Sequence, residues 1–340
     1  MNQAQAMQRA LELAARARGW VEPNPLVGCV MLRDGMVVGE GYHQRFGEAH
    51  AEVKALEDCR QRGVDTVGLT AVVTLEPCAH QGKTPPCVEA LIAAKVGRVV
   101  VAMIDPDPRV AGRGVQCLRD AGIAVEVGEG EVNARELNAP FIKRLATGLP
   151  YVTLKWAQTL DGYTATSTGH SQWISGAASR HRVHELRACA DVIMVGSGTF
   201  LADAPRLTAR DVPVRRMAKR VIVDRRGRVP RDSPIFSDGG PPASILEGSL
   251  EASLRQFVDE GATHVLVEGG AELNGALLKA KLVDRVLVFL APKLCGDPAA
   301  HPAVVTGSCL TMDDAARLTL QGVEPLQGDV MLDYRVPAES

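Results

Sequence analysis

The 340-residue chain is predicted to be an α/β protein of two successive α/β units, from three observations. Short valine- and isoleucine-rich runs alternate with stretches whose apolar residues recur at helical spacing, the pattern of an α/β layer with a mostly parallel sheet. The alternation resets between Lys143 and Pro150, where FIKRLATGLP closes one series and YVTLKWAQTLDG opens another. A chain of this length holds about two domains, each with its own core. The boundary falls near Gly148, which gives units of residues 1–147 and 148–340 with no internal repeat and no low-complexity linker.

In order, MNQAQAMQRALELAARARGW is an amphipathic helix without the apolar core of a signal peptide. PLVGCVMLRDGMVVGEGY reads as two strands around a turn at Asp34 and Gly35. A loop holding Gly47 then runs into AHAEVKALEDC, whose Val53, Leu56 and Cys59 repeat at helical spacing. Val72 and Val73 belong to a strand that Pro77 ends, and Pro85 and Pro86 precede the helical run CVEALIAAK, which puts Cys87 in a first turn. VGRVVVAMI, the loop DPDPRVAGRG, a short helix to Ala121 and the strand IAVEV follow.

The second half carries strands in ADVIMVGSGT, KRVIVD, THVLVEGGAELNGALL, DRVLVFLAP and DVMLDYRV, separated by helices such as SLEASLRQFVDEG. Two strand ends run into glycines, Gly196 and Gly198 after one, Gly269 and Gly270 after the other. The latter pair opens a helix whose free N–H groups can hold a phosphate. Neither is a full G-x-G-x-x-G, so taken alone these turns are as readily tight connections as a dinucleotide site.

With 46% hydrophobic and 23% charged residues the chain is not disordered. A net charge of −2 with interspersed signs and 4% aromatic residues argues against a nucleic-acid surface. No apolar run approaches the roughly 20 residues of a membrane span, and the expected location is cytoplasmic. Eight cysteines without paired spacings fit reduced thiols. Cys29, Cys59, Cys117, Cys189, Cys295 and Cys309 are expected in the core.

His50, Cys78 and Cys87 are the chemically distinctive set. One imidazole and two thiolates suit zinc, and three protein ligands leave one tetrahedral position for a water whose pKa the ion lowers to about 7. Glu52, two residues from a ligand, can then shuttle the protons of a hydrolytic attack. H-x-E followed by P-C-x-x-C is the signature of zinc nucleobase deaminases, and this chain matches its H-x-E and P-C parts. Residues two apart on a regular helix point to opposite sides, so His50 must lie at the helix start if it shares an ion with Glu52. A helix N-terminus at Cys87 favours its thiolate. The alternative, a closed structural site, normally takes a fourth Cys or His.

PNPLVGCV from Pro23, HAE at His50, EPCAHQGKTPPC with eight residues between its cysteines, and DPDPRVAGRG are similar to the pyrimidine deaminase of bacterial riboflavin synthesis. Cytidine and tRNA adenosine deaminases carry two residues between those cysteines. With LKWAQTLDG from Leu154, SQWIS from Ser171, HRVHELRACADVIMVGSGTFLADAPRLTAR from His181 and VEGGAELNGALL from Val267, nearly the whole chain resembles one family. It is that of the bifunctional diaminohydroxyphosphoribosylaminopyrimidine deaminase / 5-amino-6-(5-phosphoribosylamino)uracil reductases.

The resemblance implies a cytidine-deaminase-like α/β/α domain followed by a dihydrofolate-reductase-like α/β domain. It implies hydrolytic deamination of a 2,5-diamino-6-ribosylaminopyrimidinone 5′-phosphate, then NADPH-dependent reduction of the ribosyl chain to ribityl. Its cofactors are one zinc per chain and NADPH; its partners are a phosphorylated pyrimidine and, as a homo-oligomer, further copies of the chain, with no nucleic acid and no membrane. Two other function classes stay open on the residues alone: a zinc deaminase acting on a nucleic-acid base, and a zinc-stabilised binding module.

Carried over position by position, the resemblance makes Glu52 the proton shuttle and has Asn24, His43, His80 and Lys83 line the deaminase pocket. Ala157, Trp173, Thr199, Asp203 and the turn Gly270, Ala271, Glu272, Leu273, Asn274, Gly275 and Ala276 match the cofactor side. Ser171, Arg187, Leu207, Arg210 and Glu268 match the substrate side, where two guanidinium groups suit a ribose phosphate. Several residues have a plainer alternative: Asn24 as a turn residue, His43 and Arg187 as surface groups, Trp173 as core filler. Lys155 either contacts the sugar near hydride transfer or forms a structural salt bridge. Arg225 and Arg226 either hold a 2′-phosphate or are simply solvated.

Overall fold

Side chains alternate faces along a strand, so a sheet with two buried faces sorts its apolar residues into two cores. Each half of the chain does this separately. The computed structural model describes all residues except 81–84, 109, 308 and 338–340. The chain divides into two compact units, Met1–Gly148 and Leu149–Ser340.

The first unit runs α1 (Gln3–Ala15), β1 (Gly28–Arg33), β2 (Met36–Tyr42), α2 (Ala51–Gln61), β3 (Thr70–Val73), α3 (Cys87–Ala93), β4 (Arg98–Val101), α4 (Arg113–Asp120), β5 (Ala124–Val127), α5 (Glu131–Leu137) and α6 (Ala139–Thr147). Its sheet has the order β2-β1-β3-β4-β5. Asp34 and Gly35 both take positive φ, 49° and 74°, as a two-residue hairpin turn requires. The hairpin makes β1 antiparallel to β2, and β1 is also antiparallel to β3, so only β3, β4 and β5 run parallel. This sheet is therefore mixed, not mostly parallel as the sequence predicts.

One face of it, Cys29, Met31, Ala71, Val73, Val99 and Val101, packs against Ala55 and Leu56 of α2, Leu91 of α3 and Leu118 of α4. The other, Val30, Leu32, Val72 and Val100, packs against Ala6, Met7, Ala10 and Leu11 of α1 and Ala134 of α5. The result is an α/β/α sandwich. Close seating of α2 depends on Gly41: a Cβ there would lie 2.3 Å from the backbone N of Ala55 and 2.5 Å from the Ala51 carbonyl oxygen. Backbone cannot yield as a side chain can. Gly41→Ala is expected to cost the first unit about 1–3 kcal/mol and to displace the helix that follows His50. Thermal unfolding and zinc content measure both; native values for each would contradict the account.

The second unit runs β6 (Tyr151–Thr159), β7 (Tyr163–Ala165), α7 (Ala177–Cys189), β8 (Val192–Gly196), α8 (Ser197–Asp203), β9 (Lys219–Val223), β10 (Ala243–Leu246), α9 (Leu250–Asp259), β11 (His264–Val267), α10 (Ala271–Lys279), β12 (Arg285–Ala291), β13 (His301–Pro302), β14 (Thr319–Leu326) and β15 (Asp329–Arg335). Eight strands form one sheet in the order β10-β9-β8-β11-β6-β12-β15-β14. The first six are parallel; β15 and β14 close the edge antiparallel. Val152, Leu154, Met194, Val265 and Val267 face Leu254 and Phe257 of α9 and Leu273 and Leu277 of α10. Ile193, Val195, Leu266, Leu287 and Phe289 face Val183 and Leu186 of α7 and Phe200 of α8.

Four strands, the short β7 and β13 together with β10 and β14, escape the sequence pattern. In β14 the apolar Leu320 and Val323 are exposed, so alternation carries no burial signal. The cysteine expectation also needs correction: Cys29 and Cys59 are buried, but Cys117 and Cys309 are exposed, and Cys189 and Cys295 are half-buried. Cys117 lies on the solvent side of α4, away from the buried Val115 and Leu118. Among the described residues no helix is long and apolar enough to cross a membrane.

Candidate active sites

The first site assembles where α2, α3 and the segment after β3 meet. His50 is the N-cap of α2 with extended backbone, φ −75° and ψ 168°, so it leaves the helical screw and can share a site with Glu52 in the first turn. Cys87 is the first residue of α3. His50 Nδ1 lies 3.2 Å from Cys87 Sγ and 3.6 Å from Cys78 Sγ, and the Cys87 N–H donates to Cys78 Sγ at 3.3 Å. Tetrahedral zinc with bonds of about 2.3 Å to sulfur and 2.0–2.1 Å to nitrogen spaces its ligand atoms roughly 3.5–3.8 Å apart. The donor set and spacing thus fit zinc with little adjustment; these three residues form the His/Cys/Asp/Glu group, among those described, that is placed to hold a metal.

The electrostatics are those of a cation site. A hydrogen bond from the Cys87 thiol holds Cys78 down at about 4, while Cys87, as the donor to Cys78 and in a buried position, is pushed well up. His50 is raised by its bond to Cys78. Burial, then the nearby Cys78 charge, raises the Glu52 carboxyl to about 7. Two thiols, one imidazole and one carboxyl thus compete for too few compensating charges, which a divalent ion supplies.

A cavity of about 350 Å³ opens beside this group, lined by Asn24, His43, Phe46, Glu52, His80, Asp105 and Asp107 among others. His43 is not a surface group but 2% exposed. Its Nδ1 lies 3.2 Å from the Ala49 carbonyl oxygen and its Nε2 lies 3.3 Å from Asn24 Nδ2. Nδ1–H donating to Ala49 leaves Nε2 to accept from the Asn24 amide, the tautomer this network assigns. Asn24 is therefore more than a turn residue. His80 is exposed at the cavity, and Lys83 lies outside the described residues. Glu76, Asp105 and Asp107, which also line the cavity, are absent from the sequence-based set. Their signal was the DPDP run and the glutamate before Pro77, neither of which has metal-ligand spacing.

The second site forms at the carboxyl ends of the parallel strands β6, β8 and β11. Glu268, just past β11, accepts from Arg187 of α7, Nε to Oε1 at 2.5 Å and Nη2 to Oε2 at 2.9 Å. Lys155 Nζ on β6 lies 3.7 Å from Glu268 Oε2. Arg187 is thus an internal group, and the structural salt bridge of Lys155 exists. Arg187 Nη1 also donates to the Thr208 carbonyl oxygen at 3.0 Å, while the exposed Arg210 donates from Nη1 to Thr208 Oγ1 at 3.1 Å and from its backbone N–H to His184 Nδ1 at 3.2 Å. Leu207, buried with φ 52°, turns the chain into this segment. Three cations gather around one carboxylate, which suits an incoming anion.

Burial works against the charged form of Glu268, but Arg187 and Lys155 outweigh it and hold the carboxyl at about 2. Burial lowers Lys155. Because the Glu268 pKa is depressed on folding, its stabilisation is full above the ordinary value of 4.5 and is lost as pH falls towards about 2. Glu268→Gln is expected to lose about 3–5 kcal/mol at pH 7, since it strands buried cations, and to lose less than the native chain between pH 4.5 and 2. Urea midpoints at stepped pH test this; parallel curves for the two proteins would refute it.

Beside this cluster the starts of α8 and α10 adjoin: a Cβ on Gly270 would lie 2.8 Å from Thr199 Oγ1, and one on Gly196 would lie 3.5 Å from Leu273 Cβ. The first N–H groups of α10 have no intrahelical acceptor, so bare backbone at Gly270 fits a dinucleotide phosphate. Glu272 is exposed, whereas Leu273, Asn274 and Gly275 are buried; Asn274 Nδ2 donates to the Ala303 carbonyl oxygen at 2.9 Å. Of the turn Gly270–Ala276, approach is thus open chiefly at its first residues. Ser171 Oγ donates to Asp203 Oδ1 at 3.0 Å. Trp173 is 63% exposed with the Arg180 guanidinium 4.7 Å over its ring, so it is not core filler. Ala157 is half-buried on β6. Arg226 pairs with Glu272 at 3.7 Å.

Residues 1–103 match the cytidine and deoxycytidylate deaminase zinc-binding region, and residues 150–332 match the RibD C-terminal domain. The chain is 42% identical to riboflavin biosynthesis protein RibD of Aquifex aeolicus, covering 97% of each, and 41% identical to that of Escherichia coli K12, covering 96% of this chain and 97% of the relative. Among solved structures, Acinetobacter baumannii RibD superposes with TM-score 0.87 at 39% identity, over 99% of both chains. The diaminohydroxyphosphoribosylaminopyrimidine deaminase/5-amino-6-(5-phosphoribosylamino)uracil reductase of Thermotoga maritima does so with TM-score 0.88 at 34% identity, over 98% of this chain and 99% of that one. Since relatives 41–42% identical align over 96–97% of the chain, and family models match both halves, the chain belongs to the RibD family of bifunctional riboflavin-biosynthesis enzymes.

Proposed function

We propose that the two reactions of this deaminase and reductase are divided between residues 1–147 and 148–340, with the side chains above in the following roles. The first unit converts the 2-amino group of a 2,5-diamino-6-ribosylamino-4(3H)-pyrimidinone 5′-phosphate to a carbonyl, consuming water and releasing ammonia. The second reduces the ribosyl chain to ribityl with NADPH, giving 5-amino-6-(5-phosphoribitylamino)uracil. The observation that carries the first assignment is the three-ligand group His50, Cys78 and Cys87 beside the buried Glu52, at the floor of a cavity large enough for a pyrimidine.

Zinc, when bound by these three residues, supplies Lewis acidity and lowers the pKa of water to about 7. Glu52 takes a proton from the attacking water and returns it to the departing amine, and its burial keeps bulk water from competing for that proton. Asn24 and His43 hold each other in the pocket wall and so orient the pyrimidine. In the second unit Arg210 is the exposed guanidinium for the ribose phosphate, while Arg187, locked on Glu268 and Thr208, positions the segment that carries it. Lys155 sits where the sugar would approach the nicotinamide, and Thr199, Asp203, Trp173 and the turn at Gly270 hold the cofactor.

The substrate is a small molecule, and net charge −2 with few aromatic residues supports a chain that engages no nucleic acid. A cytoplasmic homo-oligomer is the corresponding cellular form; eight cysteines without paired spacings, which fit reduced thiols, support the location. Incubation with the diaminopyrimidinone phosphate, following ammonia release and NADPH oxidation separately, tests each half. A chelator should stop the first and spare reduction of supplied aminouracil. Ammonia release that survives full zinc removal would overturn the assignment of the first site.

A further inference from the structure

Glu76 is buried in the segment between β3 and the ligand Cys78; among the described residues it stands outside the metal-ligand group, and its hydrogen bonds are to backbone N–H groups. Its carboxylate accepts three backbone N–H groups from the loop after β4 and the first turn of α4: Oε2 from Asp105 at 3.1 Å and Gly112 at 2.9 Å, and Oε1 from Val115 at 3.1 Å. Gly112 is the N-cap of α4 and takes positive φ, 78°, with no side-chain cap of its own. Glu76 thus caps α4 from another part of the chain, bonding the N-cap and third helical N–H groups and placing a negative charge at the positive end of the helix dipole.

The same contact ties down the cavity wall. Asp105 in turn accepts the Asp107 N–H at 2.9 Å, and the Asp107 carbonyl oxygen accepts from Val110 and Ala111, each at 2.9 Å. Asp105, Asp107 and Val110 line the same cavity as His50 and Glu52. Gly114 completes the lock: a Cβ there would lie 2.0 Å from the Pro77 carbonyl oxygen, so the first turn of α4 rests directly on the backbone one residue before Cys78.

We infer that Glu76 is a positioning residue for deamination, which registers the cavity wall of Asp105, Asp107 and Val110 against the metal-ligand segment so that a pyrimidine phosphate meets both in one geometry. This rests on the deaminase reading of the first unit. Glu76→Gln keeps the shape but turns an NH2 group towards backbone donors, so at least one of the three bonds is lost. The expected outcome is zinc content and reductase activity as in the native chain, with kcat/KM for ammonia release down about tenfold or more, mostly through KM. Amide hydrogen exchange should speed up in residues 105–115 and not elsewhere. An unchanged deamination KM, or loss of zinc from Glu76→Gln, would overturn the proposal, the latter making Glu76 a support of the metal site itself. Hydrogen exchange of the native full-length chain needs neither variant nor activity: slow exchange at Gly112 and Val115 is expected, and rates typical of an open loop there would refute the inference even if deamination proceeds as described.

Discussion

Glu52→Gln should retain one zinc per chain and lose deamination by about 10²–10⁴-fold, the usual share of a positioned acid–base group. Glutamine fits the same buried space in the first turn of α2, and none of the ligand atoms on His50, Cys78 or Cys87 is altered. What changes is that an amide cannot accept a proton from water and hand it to ammonia. The second unit has its own core and none of its residues is touched, so NADPH oxidation with supplied aminouracil should be native. Metal analysis and ammonia release on the same sample decide it. Near-normal ammonia release would remove Glu52 from the mechanism, and loss of zinc would make it part of the metal site.

The other large expected effect is that the two activities fail independently. Cys87→Ser replaces a thiolate ligand by a weakly acidic hydroxyl at the start of α3 and should abolish deamination while sparing reduction. Arg210→Ala should do the reverse. Its guanidinium is exposed, steadied by Thr208, and adjoins Arg187 and His184, so it can meet a phosphate without breaking the Arg187–Glu268 pair. A charge-assisted contact is worth about 1.5–3 kcal/mol, or roughly tenfold to a hundredfold in the reductase KM. Loss of zinc and deamination from Arg210→Ala, with reduction intact, would put both the division of the chain and the second site in the wrong place.

The first site was legible in the chain because its chemistry is local. His50 and Glu52 are two residues apart at a helix start, and Cys78 and Cys87 are joined by a proline-rich loop; such spacings are constrained by ligand geometry before any tertiary contact forms. The alternation of strands and helices, the Asp34–Gly35 hairpin and the reset near Gly148 are equally local, since periodicity and turn chemistry act over a few residues.

Only the tertiary structure decided which charges are buried and what they hold. Arg187, Lys155 and Glu268 come from three elements separated by up to 113 residues, and no window of sequence distinguishes a surface arginine from one locked on a buried carboxylate. His43 reads as an ordinary histidine until Ala49 and Asn24 close around it. Cys117 and Cys309 read as core residues until a helix face and a loop carry them to solvent. Glu76 opens the EPCAHQGKTPPC motif, but nothing in that stretch says which backbone groups it holds; those contacts depend on the bare backbone at Gly114, which lets α4 rest on Pro77. The physical reason is common to all four: the sequence specifies intrinsic chemistry and short-range geometry, whereas burial and charge pairing depend on which distant segments the packed sheet brings together.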